Sequence, residues 1–223
     1  TDAREIREKA LSSLRNIQRT NETPITNTTT GSETADSWYN MGRKMALESR
    51  YEEALAAFDH ALQINPDNPD FWEKMAQSYE KLGRYEEAVT AYDQVLRIKP
   101  NDEYMWNRKG NALEERGRYE EALEAHDQAL SIEQNDDYSW YCRGKVLDKM
   151  GRYEEAVLAY GNALRIKPAD NYTWYRKGKA LEKLGRFNAA LEAYDQALAL
   201  DPYDGLSQSG KERILSNLTD IKG

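Results

Sequence analysis

Apolar residues recur along this chain at intervals of three and four, and glycine or proline breaks the pattern at regular distances. From Phe71 to Leu82, Trp72, Met75, Ala76 and Tyr79 fall on one helical face. Gly83 interrupts the stretch. From Tyr85 to Ile98 the spacing resumes with Tyr85, Ala88, Val89, Tyr92, Val95 and Leu96, until Pro100 stops the second helix. Gly117, Gly151 and Gly185 mark equivalent turns, with Ser49 standing in once, and Pro66, Pro168 and Pro202 repeat the stop, with Gln134 standing in once. The pattern predicts a succession of helix-turn-helix pairs.

The pairs share a period. Trp38, Trp72, Trp106, Trp140 and Trp174 are each 34 residues apart. Ala54, Ala88, Ala122, Ala156 and Ala190 keep the same step, as do the small residues Gly42, Ala76, Gly110, Gly144 and Gly178. An aromatic series, Phe58, Tyr92, Tyr160 and Tyr194, is broken only by His126. Repetition at this length signals a stacked array, because one helix pair cannot cover its own apolar face and needs neighbours to do so. Gly or Ala facing Ala is expected to let paired helices approach closely.

These residues resemble the tetratricopeptide repeat family, whose pattern is matched by Trp72, Ala76, Tyr79, Ala88, Tyr92 and Pro100. The resemblance covers five units: 35–68, 69–102, 103–136, 137–170 and 171–204. It implies an all-α fold, a right-handed superhelical α-solenoid of helix-turn-helix repeats. Departures are mild: Met45, Leu113, Leu147 and Leu181 replace the Tyr79 position, and His126 and Gln134 both fall in the third unit.

Residues outside the array divide into three. Residues 205–223 are expected to form a C-terminal capping helix with Ile214, Leu215, Leu218 and Ile221 on one side. The period past Trp174 and Gly178 reaches Gln208 and Glu212, so a sixth unit is not expected to stack there. Residues 1–19 read as an amphipathic helix in which Ala10, Leu11, Leu14 and Ile17 echo the spacing of Ala54, Leu55, Phe58 and Ala61. It could cap the first unit, be the end of a preceding degenerate repeat, or support self-association on another copy. The Thr/Asn-rich stretch 20–34 is expected to be a flexible linker.

Composition narrows the chemistry. With 31 basic and 39 acidic residues the formal charge is −8, which argues against nucleic acid as a partner. No apolar stretch approaches the length of a membrane span. One cysteine and two histidines are too few for a structural zinc site, and no cofactor, metal or catalytic residue is expected. The pairs Glu52–Glu53, Glu86–Glu87, Glu120–Glu121 and Glu154–Glu155 recur at the positive ends of second helices, which explains them without catalysis. Arg97, Lys99, Arg165 and Lys167 suit the opposite ends. His126 is read as a packed core residue. Cys142 is read as a small semi-buried filler in preference to a groove-facing thiol, and the tryptophans as packing residues in preference to a ligand-stacking ladder. A cytoplasmic setting is the default expectation, with an extracytoplasmic one open if a signal or anchor preceded Thr1. Asn21, Asn27, Asn171 and Asn217 begin Asn-X-Ser/Thr sites that export would expose to glycosylation.

In the resembled family, first helices line a concave groove that holds a peptide segment of another protein. That carries the candidate site to positions one, two and five after each tryptophan: Tyr39, Asn40 and Arg43; Glu73, Lys74 and Gln77; Asn107, Arg108 and Asn111; Tyr141, Cys142 and Lys145; Tyr175, Arg176 and Lys179. Tyr104, Tyr138 and Tyr172 add a residue two before it. The second half is tyrosine-rich and basic, which suits an acidic or aromatic peptide across units three to five. Asp148 and Glu182 are expected to pair with Lys145 and Lys179 on their own helices. The lysine and asparagine clamp of the family's chaperone-tail binders is matched only at Asn111 and Arg176, with Asn107, Cys142 and Tyr172 departing from it. The expected function is a scaffold or adaptor that binds protein; a self-associating structural module and the targeting domain of a larger protein are the alternatives.

Overall fold

The computed structural model describes residues 34–220, with side chains to 217. Among the described residues there are eleven α-helices and no strand. The helix expected over 1–19 lies outside them, as does the linker apart from Thr34.

The described chain forms two compact units that divide between Pro100 and Asn101. The first holds α1 (Ala35–Leu47), α2 (Tyr51–Ile64), α3 (Pro69–Lys81) and α4 (Tyr85–Ile98). The second holds α5 (Glu103–Glu115), α6 (Tyr119–Ile132), α7 (Asp137–Lys149), α8 (Tyr153–Ile166), α9 (Asn171–Lys183), α10 (Phe187–Leu200) and α11 (Gly205–Asp220). Odd-numbered helices correspond to the first helix of each expected pair.

Local chemistry sets the helix ends. Thr34, the last residue of the expected linker, caps α1 in a reciprocal box with Ser37. Asn68 caps α3, and Pro69 at its first turn starts the helix two residues before Phe71. Asp102, Asp136 and Asp170 cap α5, α7 and α9 through their carboxylates. Gly83, Gly117, Gly151 and Gly185 sit at φ of 70 to 76° and end their helices in the left-handed conformation. Ser49 adopts φ 61° at the same place without glycine's freedom. Arg50, Arg84, Arg118 and Arg152 precede the second helices and bind Glu53, Glu87, Glu121 and Glu155 three residues on, at 2.6–2.8 Å. The second glutamate of each recurring pair is therefore held by an arginine as well as favoured by the helix dipole.

Packing adds a contact to the expected close approach. The glycines of the first helices lie against the aromatic of the second helix. A Cβ added to Gly42, Gly144 or Gly178 would lie 2.6–2.7 Å from the rings of Phe58, Tyr160 and Tyr194. Those three rings are fully buried, and each contributes on the order of 2 kcal/mol by leaving water. The tryptophans act as staples. The indole N–H groups of Trp72, Trp140 and Trp174 donate to the backbone carbonyls of Pro66, Gln134 and Pro168, six residues earlier. Because the acceptor is main chain, Gln134 serves as well as proline. Trp38 stacks on His60 at 4.4 Å.

The C-terminal helix packs on the last repeat. α11 docks on α9 and α10 as a first helix does: Ser207 and Ile214 are buried, and a Cβ on Gly210 would meet the Tyr194 ring at 2.6 Å. Gln208 and Glu212 replace the positions that elsewhere engage the loop before a first helix and the second helix after it. Their loss leaves the contacts with α9 and α10 intact.

Candidate functional site

In the first unit, the predicted residues mostly engage one another. The Tyr39 ring lies 4.8 Å from Phe71 and 5.9 Å from Phe58, and the Arg43 guanidinium sits over it at 5.6 Å. Burial raises the Tyr39 hydroxyl's pKa above its ordinary value. Lys74 donates to Gln77 at 3.0 Å and lies 3.4 Å from Glu73, while Gln77 donates to Glu73 at 2.7 Å. This triad satisfies itself.

In the second unit, tyrosines of α7 and α9 form a continuous line of rings. Tyr160 of α8 lies 6.1 Å from Tyr141, which lies 6.1 Å from Tyr172. Tyr172 lies 5.9 Å from Tyr175, which lies 6.2 Å from Tyr194 of α10. The ends of this line are anchored in the core, Tyr141 and Tyr175 are partly buried, and Tyr172 between them is exposed. Tyr172 is 44 % exposed, and Tyr138 and Tyr104, at the same place in α7 and α5, are 47 % and 48 % exposed. Leu206 of α11, one period after Tyr172, is 53 % exposed. Sequence reasoning stopped at Tyr172, although the same 34-residue step reaches Leu206. Tyr138 accepts a 2.8 Å hydrogen bond from Asn111 Nδ2, and burial pushes its pKa up to about 12. Arg108 lies over the Tyr104 ring at 5.9 Å.

Two predicted positions are not exposed. Asn107 is 2 % exposed: its Oδ1 accepts from His126 Nδ1 at 3.0 Å, and its Nδ2 donates to Ser139 Oγ at 2.6 Å. The third repeat thus replaces the ring contact of Tyr141–Tyr160 and Tyr175–Tyr194 with a buried polar pair, and His126 is a core residue. Cys142 is 1 % exposed, and burial drives its thiol pKa up to about 12, so it is a core filler that faces no groove.

The ion pairs run between helices. Lys145 and Lys149 both hold the buried carboxylate of Glu114 at 2.9 Å. Arg176 takes Asp148 at 3.1 Å and donates to the Tyr160 hydroxyl at 3.3 Å. Arg213 of α11 forks onto Glu182 with two 2.7 Å bonds, and Tyr194 adds a third at 2.8 Å. The pairing of Lys145 with Asp148 and of Lys179 with Glu182 expected on single helices does not occur. A residue three along its own helix competes with an acid presented by the neighbouring first helix, and the inter-helix geometry wins. The strip is consequently less basic than its sequence. Among the described residues no cluster of side chains suits a metal ion, and no helix is long and apolar enough to cross a membrane.

None of the curated proteins compared with the chain matches it. Solved structures resemble it in fold. A MamA crystal structure superposes with a TM-score of 0.73 at 21 % identity, covering 78 % of this chain and 97 % of the other. YrrB, described as a TPR protein with an unusual peptide-binding site, gives 0.70 at 20 % identity over 90 % and 98 %. PilF of Pseudomonas aeruginosa gives 0.67 at 19 % over 84 % and 86 %. Tetratricopeptide repeat profiles match residues 45–112, 110–151, 148–185 and 172–204, which together run through both units. The repeated tryptophan staple, the left-handed turn and the glycine against its aromatic are the physical content of those matches, and the chain belongs to the tetratricopeptide repeat family.

Proposed function

We propose that the protein is a binding scaffold whose second unit takes a peptide segment of a partner protein along α5, α7, α9 and α11. The observation that carries this reading is the tyrosine line from Tyr141 to Tyr175, exposed at Tyr172 and flanked by the half-exposed Tyr104, Tyr138 and Leu206. Tyrosine offers a large, rigid contact area at low entropic cost and a polar tip for backbone groups. With Lys145, Lys149, Arg176 and Arg213 already holding acids, aromatic and apolar side chains suit the strip better than an acidic tract. YrrB's description as a peptide-binding protein supports the reading by analogy. No catalytic role is assigned to these residues; their chemistry is that of contact.

The test is a peptide array probed with the full chain and with a Tyr138→Ala/Tyr172→Ala variant. Loss of binding to aromatic peptides with unchanged helicity is expected. Equal binding by both proteins would overturn the groove reading.

A further inference from the structure

Along the first helices of the second unit, a base five positions after the tryptophan register reaches back 31 residues to an acid. Lys145 reaches Glu114, and Arg213, on the same register, reaches Glu182. The register assigns Asp148 to Lys179. Arg176 intervenes: it holds Asp148 at 3.1 Å, with both side chains largely buried. The other acid nearby, Glu182, is occupied by Arg213 and the Tyr194 hydroxyl. Lys179 is left partly buried, with no ion pair or hydrogen bond to any described residue. It stands four residues after Tyr175 and seven after Tyr172, on the same helical stripe.

We infer that Lys179 anchors one carboxylate of the bound peptide, with the neighbouring aromatic or apolar side chain of that peptide lying on Tyr172 and Tyr175. The inference rests on the peptide-groove reading and sharpens it. A lysine ammonium that is partly removed from water and without a counter-ion gains from a single anion more than an exposed lysine does. One lysine supplies a single positive charge, which a carboxylate matches and a phosphate dianion exceeds. A run of acids gains nothing further, since the other bases of the strip already hold partners. The carboxylate could be an Asp or Glu side chain or a chain terminus, and the test separates them.

The probe is a library of tyrosine-containing peptides made in four forms: one Glu with an amidated end, Gln with an amidated end, Gln with a free C-terminal carboxylate, and phosphoserine with an amidated end. Binding is measured with the full chain, with Lys179→Gln and with Lys179→Arg. One form of carboxylate should exceed its uncharged counterpart by roughly tenfold, as a charge-assisted bond allows. That preference should vanish in Lys179→Gln, persist in Lys179→Arg and weaken with salt, while the melting temperature stays the same. Wild-type binding that is equal for the Glu, the free-terminus and the amidated Gln peptides, or a preference for phosphoserine, would overturn the inference and leave the groove standing. No peptide binding wild type better than the Tyr138→Ala/Tyr172→Ala variant would overturn both.

Discussion

Asn107 Oδ1 accepts a 3.0 Å hydrogen bond from His126 Nδ1 where the fourth and fifth repeats pair two tyrosine rings. With Nδ1 as donor, Nε2 keeps its lone pair, and it is buried without a partner. The imidazole is therefore held neutral. Burial pulls its pKa down from 6.5 to about 4, with the Glu114 charge opposing and Lys145 assisting. Because the unfolded histidine takes up a proton first, stability is fully present above about pH 6.5. It falls as the pH drops toward 4, by about 3 kcal/mol in all. Chemical denaturation at pH 7.5 and 4.5 should show this loss, and an Asn107→Tyr/His126→Tyr double variant should lose less. Equal slopes in the two proteins would mean other groups carry the acid sensitivity.

Ser49 is the one non-glycine residue at positive φ among those described. Its four counterparts are glycines. Ser49→Gly should raise stability by about 1 kcal/mol by removing the left-handed penalty. Thermal melts of the two proteins decide it, and a lower melting temperature would contradict the strain.

Tyr194 packs against two glycines, Gly178 of α9 and Gly210 of α11. With the ring in close contact with both glycines, Gly178→Val should destabilise by about 1–3 kcal/mol. Gly161, within α8, has no atom within 4 Å of an added Cβ, so Gly161→Ala should stabilise by about 1 kcal/mol through helix propensity. Urea titrations that rank the two substitutions in the opposite order would refute this packing account.

Cys142 should be inert in the folded protein. Its thiol is 1 % exposed and its pKa is pushed up to about 12, so thiolate is scarce at pH 8. A disulfide reagent should release less than one tenth of an equivalent promptly from the native chain, and about one equivalent in denaturant. Prompt full reaction without denaturant would show that the site opens.

Replacing Glu114 tests the inter-helix pairs. Its carboxylate is 1 % exposed, whereas Lys145 and Lys149 reach water at 26 % and 41 %. Glu114→Gln should cost about 1–3 kcal/mol, less than a fully buried pair, because both lysines can turn to solvent. It should also raise affinity for acidic peptides by freeing two cations in the strip. An unchanged array profile would detach the ion pair from partner choice.

The sequence alone determined the helices, their turns and the 34-residue register. These depend on local causes: glycine at positive φ, a capping Asp or Asn, proline stops and apolar spacing of three and four. It also located the tyrosines Tyr138, Tyr141, Tyr172 and Tyr175, since a residue's place on its helix follows from its distance to the tryptophan. Which side chains remain available was decided only in three dimensions. Asn107 and Cys142 share the register of partly exposed residues yet are buried, because the neighbouring helices cover them. Arg176 holds Asp148 from a different helix, and Lys145 turns 31 residues back to Glu114, because those groups face each other across the packed first helices. The helical period ranks partners by position along one helix. An ion pair forms with whichever opposite charge lies nearest in space, and tertiary packing brought that charge from the preceding repeat.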